Sequence, residues 1–175
     1  MSKYNIEITE RAATVIADLP FLHDVIHRVL EQEQVDTATI SLALVDDPEI
    51  HRLNREFLGH DYPTDVISFR LDTPVAETLL LKTESSATSC LESTVAENGL
   101  ITGLEGELIV SVETAIREAS SHDWSAQAEL VLYVVHGLLH LCGYDDLTDD
   151  ARPAMRTRER QLLATWGLCP TGLES

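Results

Sequence analysis

One segment constrains the fold more than any other. Residues 130–142 (LVLYVVHGLLHLC) are apolar on nearly every face of a helix, yet they include His136 and His140. A helix that is apolar all round belongs in a protein interior, where two imidazoles rarely remain without partners. Their four-residue spacing places both rings on one face, one turn apart, close enough to bind a single ion. The segment therefore predicts a buried helix that carries a metal site.

The rest of the chain has the size and composition to bury such a helix. It has 175 residues, of which 44% are hydrophobic, as expected for a single domain. The apolar run is far shorter than the ~20 residues that span a bilayer, and the amino terminus lacks a charged-then-apolar export segment. We therefore expect a soluble, cytoplasmic protein that does not bind membranes. Cys90, Cys142 and Cys169 form no C-x-x-C pair, which argues against disulfides and a thiolate zinc site.

Periodicity and capping residues predict alternating strands and helices. Strands are predicted over residues 5–9, 37–45, 65–71 and 107–111. The first helix is predicted over residues 11–34, with a break at Pro20. A second begins at an N-cap at Asp47 and ends at about Phe57, and a third runs from Ser111 to about Ser120. The last two run from Ser125 to Cys142, where Gly143 follows, and from Thr148 to about Trp166. Residues 72–104 are rich in Ser, Thr, Ala and Glu and predict a flexible insertion, within which residues 78–82 could form a short strand. We expect one α/β domain over residues 1–175, in which helices flank a mixed sheet of about four strands.

The turn after the apolar helix supplies a candidate third ligand. Gly143 and the residues that follow it reverse the chain, so that Asp146 can return to the ion held by His136 and His140. A hydrogen-bonded core histidine is the competing explanation for each imidazole. Glycine inside a helix costs about 1 kcal/mol, so Gly137 indicates either close approach of a substrate or tight packing against a neighbouring helix. The sequence predicts one zinc ion per chain, bound by His136, His140 and Asp146.

This ligand set favours hydrolytic chemistry. Two histidines and one carboxylate leave a coordination position open, which is typical of catalytic zinc, and such a metal activates water. In zinc peptidases of the H-E-x-x-H type, a glutamate at the position of Gly137 is the general base. This chain therefore lacks the base for peptide cleavage of that type. A phosphodiester needs less from the protein, because the metal both supplies the nucleophile and stabilises the charge of the transition state.

The metal motif also resembles a known family. Residues 136–146 (HGLLHLCGYDD) resemble the H-G-x-L-H-L-x-G-Y-D-H element of the YbeY endoribonucleases, which are bacterial rRNA maturation factors. Residues 45–54 (VDDPEIHRLN), 61–69 (DYPTDVISF) and 106–111 (GELIVS) agree in order and spacing. The resemblance covers essentially the whole chain outside residues 72–104.

The resemblance implies a zinc-dependent, single-strand-specific endoribonuclease that acts in 16S rRNA 3′-end maturation and ribosome quality control. The implied partners are the 16S rRNA precursor and the small ribosomal subunit, and no DNA is expected. The three histidine ligands of the family fall on His136, His140 and Asp146, so a carboxylate replaces the third imidazole. Leu58 stands where the family usually has an arginine beside the active site. The alternatives are a non-catalytic ribosome-assembly factor with a structural metal, and a metal-dependent hydrolase of another substrate such as a peptide.

Charge opposes an RNA substrate, because 12 basic and 30 acidic residues give a net charge of −18, which repels a polyanion. Arg70, at the end of the third predicted strand, is the predicted phosphate-binding residue. The three arginines of the last helix are expected to pair with nearby acids instead: Arg152, Arg156 and Arg160 with Asp149, Asp150 and Glu159. Structural roles are expected for five other residues. Tyr144 and Asp145 should shape the turn and hydrogen-bond a ligand imidazole. Asp61 and Asp65 should order the loop that faces the site, and Cys142 should lie in the core.

Overall fold

A four-stranded sheet forms the centre of the protein. The computed structural model describes residues 3–71 and 101–169. The strands are β1 (Tyr4–Glu10), β2 (Ala38–Val45), β3 (Val66–Arg70) and β4 (Leu104–Ser111), in the spatial order β1-β2-β4-β3. β2 pairs in parallel with β1 and β4, whereas β3 runs antiparallel to β4 at the edge. The predicted α/β fold with a mixed sheet of four strands is confirmed.

Helices cover both faces of this sheet. They are α1 (Leu19–Gln32), α2 (Asp47–Leu53), α3 (Val112–Ala119), α4 (Ala126–Leu141) and α5 (Arg152–Ala164), and a π-helical turn (Asn54–Leu58) continues α2. The largest core lies between the sheet and the α1, α4 and α5 side, and a smaller one joins Ile50 of α2 to Ile67 and Ile109 on the opposite face. None of the helices in the described ranges is long and apolar enough to cross a membrane.

Two predicted helix starts are confirmed and three are wrong. The hydroxyls of Ser111 and Ser125 accept hydrogen bonds from the third residue beyond each, as N-caps do. Pro20 lies in the first turn of α1 rather than breaking a longer helix, because a first-turn residue needs no backbone N–H donor. Asp46, not Asp47, caps α2. α5 starts after Ala151, three residues beyond the cap predicted at Thr148.

Gly137 allows α4 to lie close to the sheet. A Cβ atom on Gly137 would lie 2.7 Å from Leu108 Cδ2 and 3.2 Å from Val66 Cγ2. Of the two explanations for this glycine, the structure supports tight packing, although against β3 and β4 rather than against a neighbouring helix. Gly143 adopts a φ of 98° directly after α4, which is the left-handed stop that the sequence predicts.

The carboxyl end of the segment that we predicted as an insertion belongs to the folded domain. Residues 72–100, including the possible strand at 78–82, lie outside the described residues. Ile101 forms a parallel bridge with Val35, and β4 begins at the fully buried Leu104. The assignment of residues 101–104 to the insertion is therefore wrong, because the side chains of Ile101 and Leu104 join the core.

Candidate metal centre

The three predicted ligands come together at the carboxyl end of α4. His136 and His140 lie one turn apart, with their Nε2 atoms separated by 3.0 Å. The turn that begins at Gly143 returns Asp146 to them, so that its carboxylate oxygens lie 3.8 Å from His136 Nε2 and 3.6 Å from His140 Nε2. A tetrahedral ion with bonds of ~2.0–2.1 Å separates its ligands by roughly 3.3 Å. The three side chains therefore fit a single ion of this kind.

Hydrogen bonds behind the two rings fix their orientation. His136 Nδ1 lies 2.5 Å from Glu159 Oε1, and His140 Nδ1 lies 3.1 Å from the backbone oxygen of Tyr144. An Nδ1–H that donates to such an oxygen leaves Nε2 as the acceptor atom, which is the tautomer that a metal ligand needs. Tyr144 thus contributes its carbonyl rather than its phenol. Asp145 shapes the turn, where it accepts a hydrogen bond from the backbone N–H of Leu147.

Glu159 is a site residue whose role the sequence reasoning missed. We expected it to pair with arginines at the surface, but it is only 3% exposed and contacts His136. A signal was present in the sequence, since Glu159 lies on the same face of α5 as the buried residues Met155 and Leu162. A carboxylate on the apolar face of a helix requires a partner, and a ligand histidine is that partner here.

Carboxylates make the surroundings of His136 favourable for positive charge. Burial lowers the pKa of His136, but the hydrogen bond and charge of Glu159 raise it, as do the charges of Asp65 and Asp146, and the balance lies above the usual value. Groups that favour a proton on this ring also favour a metal cation beside it. The electrostatics of the site therefore agree with its geometry.

A cavity of about 470 Å³ adjoins the ligands. Its wall includes His136 and Asp146, the loop of residues 63–65, one face of α3 and parts of α4 and α5. Asp65 belongs to this wall and accepts hydrogen bonds from the Val66 backbone N–H and the Thr64 hydroxyl. Asp61 points elsewhere and pairs with His51 at 2.8 Å. Of the two loop acids, Asp65 is the one that faces the site.

The predicted basic residues are distributed differently from our expectation. Arg70 ends β3, four residues beyond Val66, and is not among the residues that line the cavity; its role in phosphate binding stays a prediction. Arg152 pairs with Asp149 at 2.9 Å, as expected. Arg156 lines the cavity, and so does Arg117 of α3, which the sequence reasoning did not single out.

Two further residues that the sequence singled out do not join the centre. Leu58 is half exposed at the end of the π-helical turn and does not line the cavity. Cys142 packs against the main core, and burial raises the pKa of its thiol to about 12. The thiol is therefore protonated at neutral pH, in keeping with the expected core role.

Comparisons with known proteins identify the family of this chain. The family model described as Endoribonuclease YbeY matches residues 6–167. An endoribonuclease YbeY from Rhodopirellula baltica is 41% identical over 73% of this chain, although the match spans only 53% of that protein's length. Those from Halalkalibacterium halodurans and Bacillus subtilis are 34% and 32% identical, over 92% and 93% of this chain and 90% and 96% of their own.

A solved structure gives the same result for the fold. The solution structure of TM1509 from Thermotoga maritima superposes with a TM-score of 0.56 at 22% identity, over 93% of this chain and 89% of that one. This likeness concerns the fold alone. The family match over residues 6–167 and the relatives matched over more than nine-tenths of the chain make the assignment: the chain belongs to the YbeY endoribonuclease family.

Proposed function

We propose that this protein is a zinc-dependent, single-strand-specific endoribonuclease that acts in the cytoplasm on the 16S rRNA precursor. Its proposed roles are maturation of the 16S rRNA 3′ end and ribosome quality control, in association with the small ribosomal subunit. Family membership supports RNA hydrolysis. The observation that carries the zinc assignment is the pair of imidazoles whose Nδ1 atoms have protein partners while their Nε2 atoms face Asp146.

Some residues of the site would bind the ion, and others orient the ligand rings. His136, His140 and Asp146 would hold the ion, which when bound supplies an acidified water and a positive charge against the phosphodiester. Glu159 keeps the proton of His136 on Nδ1, and the Tyr144 carbonyl does the same for His140. Because both rings are held from behind, neither must reorient when the ion binds.

The charge of the cavity explains why the reaction would depend on the metal. Its wall contains two basic side chains, Arg117 and Arg156, and five acidic ones: Asp65, Glu118, Glu129, Asp146 and Glu159. Five acidic and two basic side chains leave an excess of three negative charges, which repels a phosphate at close range. A divalent cation removes most of this excess. The cavity is also of the size that holds one small ligand, which suits a nucleotide of an unpaired strand better than a double helix.

Elemental analysis and cleavage assays on the full chain test this proposal. We expect about one zinc per chain, and cleavage of single-stranded RNA that is lost on chelation and restored by zinc. The double variant His136→Ala/His140→Ala should lose the metal, and stoichiometric zinc in it would refute the site. Cleavage of peptides instead of RNA would favour the other hydrolase. Bound zinc without cleavage of either polymer would favour the non-catalytic assembly factor.

A further inference from the structure

Arg117 is held in a fixed position in the wall of the cavity. It lines the same cavity as His136 and Asp146, and its side chain is 53% exposed. Its Nη1 donates to Asp47 Oδ2 at 2.9 Å, its Nη2 to Thr114 Oγ1 at 2.9 Å, and its Nε to Glu118 Oε1 at 3.3 Å. Each of the three nitrogens therefore has an anchor.

The carboxylate of Asp47, which anchors Arg117, is itself held by hydrogen bonds. Its Oδ1 accepts hydrogen bonds from the hydroxyls of Ser111 at 2.5 Å and Thr114 at 2.8 Å, and both of these residues are buried. Burial raises the pKa of Asp47, but the hydrogen bonds from Ser111, Arg117 and Thr114 together lower it by more, so that the pKa lies below its usual value. Asp47 thus stays ionised, and its remaining capacity is directed at Arg117.

The guanidinium keeps donors for a ligand. Of its five N–H groups, three are used by Asp47, Thr114 and Glu118. One N–H on each Nη nitrogen has no hydrogen-bond partner among the residues that the structure describes. Each of these two donors can bind a phosphate oxygen, and the charge of the guanidinium strengthens such a bond.

We infer that Arg117 is a phosphate-binding residue, which holds a backbone phosphate of single-stranded RNA beside the metal centre, and that Asp47 positions it. The inference rests on the proposed function, because it takes RNA as the substrate. A purely structural role is the alternative, in which the pair of Arg117 and Asp47 only joins α3 to α2. Arg70 is the competing candidate for phosphate binding, but it does not line the cavity.

Salt-dependent RNA binding separates these roles. The full chain is treated with a chelator so that RNA is not cleaved, and the binding of a short labelled single-stranded RNA is followed by fluorescence anisotropy over a range of salt concentrations. Arg117→Gln should weaken binding about 10-fold, as the loss of a charged hydrogen bond does. It should also reduce the slope of log K against log salt by about 0.7, the contribution of one phosphate contact on a single strand.

Two further variants complete the design. Arg117→Lys should retain the slope but recover only part of the affinity, because lysine keeps the charge and lacks the planar guanidinium that Asp47 and Thr114 hold in place. Arg28→Gln is the matched control: Arg28 is also 53% exposed and bonded to a carboxylate, Asp24 at 3.0 Å, but it lies on α1 and does not line the cavity. It removes the same charge and should leave the affinity and slope nearly unchanged. Thermal unfolding of each variant verifies that the protein is folded.

The outcomes distinguish the inference from the function on which it rests. An unchanged slope in a folded Arg117→Gln, or an equal loss in Arg28→Gln, overturns the inference. Weakening by Arg70→Gln but not by Arg117→Gln overturns it in favour of Arg70. If the wild type cleaves RNA but binds it too weakly to measure, kcat/KM of the zinc-loaded variants is compared instead, with the same expected loss and the same refuting result. A zinc-loaded wild type that does not cleave RNA refutes the proposed function, and the inference with it.

Discussion

Replacing Glu159 by glutamine tests how much of the metal affinity comes from the residue behind the ligand. The carboxylate is 3% exposed, and its Oε1 lies 2.5 Å from His136 Nδ1. Glutamine has nearly the same shape and still offers an oxygen to this N–H, so the change removes mainly the negative charge. The ring is then a weaker donor to the ion and is less firmly oriented.

The expected magnitude follows from the role of such partners in metal sites. Loss of a hydrogen-bonding partner behind a ligand costs 10–100-fold in metal affinity, which is about 1.4–2.7 kcal/mol. Burial opposes positive charge on His136, and Glu159 offsets it through its bond and its charge, helped by Asp65 and Asp146. Because Asp65 and Asp146 remain, we expect Glu159→Gln to fall in the lower half of this range.

Competition with a chromophoric zinc chelator measures this affinity, and the chain offers a matched control. Glu129 is also buried, at 1% exposed, also lines the cavity, and accepts from His122 Nδ1 at 2.7 Å. His122 is not a ligand, and Glu129 lies seven residues before His136 on α4, about 10 Å along the helix axis, where it bonds to His122 and Trp124 rather than to a ligand ring. Glu129→Gln should therefore leave zinc affinity nearly unchanged. Wild-type affinity in Glu159→Gln, or an equal loss in both variants, would refute the reasoning.

Other perturbations test the packing, the thiol and the third ligand. Gly137→Ala places a methyl group 2.7 Å from Leu108 Cδ2. Overpacking should cost about 1–3 kcal/mol against the ~1 kcal/mol that alanine gains in a helix, so we expect the free energy of unfolding to fall by about 0–2 kcal/mol; a variant that chemical denaturation shows to be more stable than the wild type would contradict this packing. The thiol of Cys142, with a pKa of about 12, should react with iodoacetamide at pH 8 far more slowly than the exposed Cys169, and equal rates in peptide mapping would show that Cys142 is not buried. Asp146→His should retain one zinc ion, because imidazole is an equivalent ligand, whereas loss of zinc from the folded variant would show that the turn suits only a carboxylate.

Features that depend on neighbouring residues could be predicted from the sequence. The apolar run of α4, its serine cap and its glycine stop are all local, and the four-residue spacing of His136 and His140 determines their common face. Asp146 follows them within one turn of chain, so its return was also predictable. The four strands and the helices between them were recognisable for the same reason, since hydrophobic periodicity is set by local backbone geometry.

Only the tertiary structure decided which distant residues meet at the site. Glu159 contacts His136 across 23 residues of sequence, and Asp47 contacts Arg117 across 70. No local pattern encodes these contacts, because they depend on how α5 and α2 pack against the helices of the site. The same applies to the need for glycine at position 137, which arises because β4 lies between β2 and β3 beneath α4. Ligand spacing is a property of one helix, whereas burial, orientation and the charge of the cavity arise only when separate elements pack together.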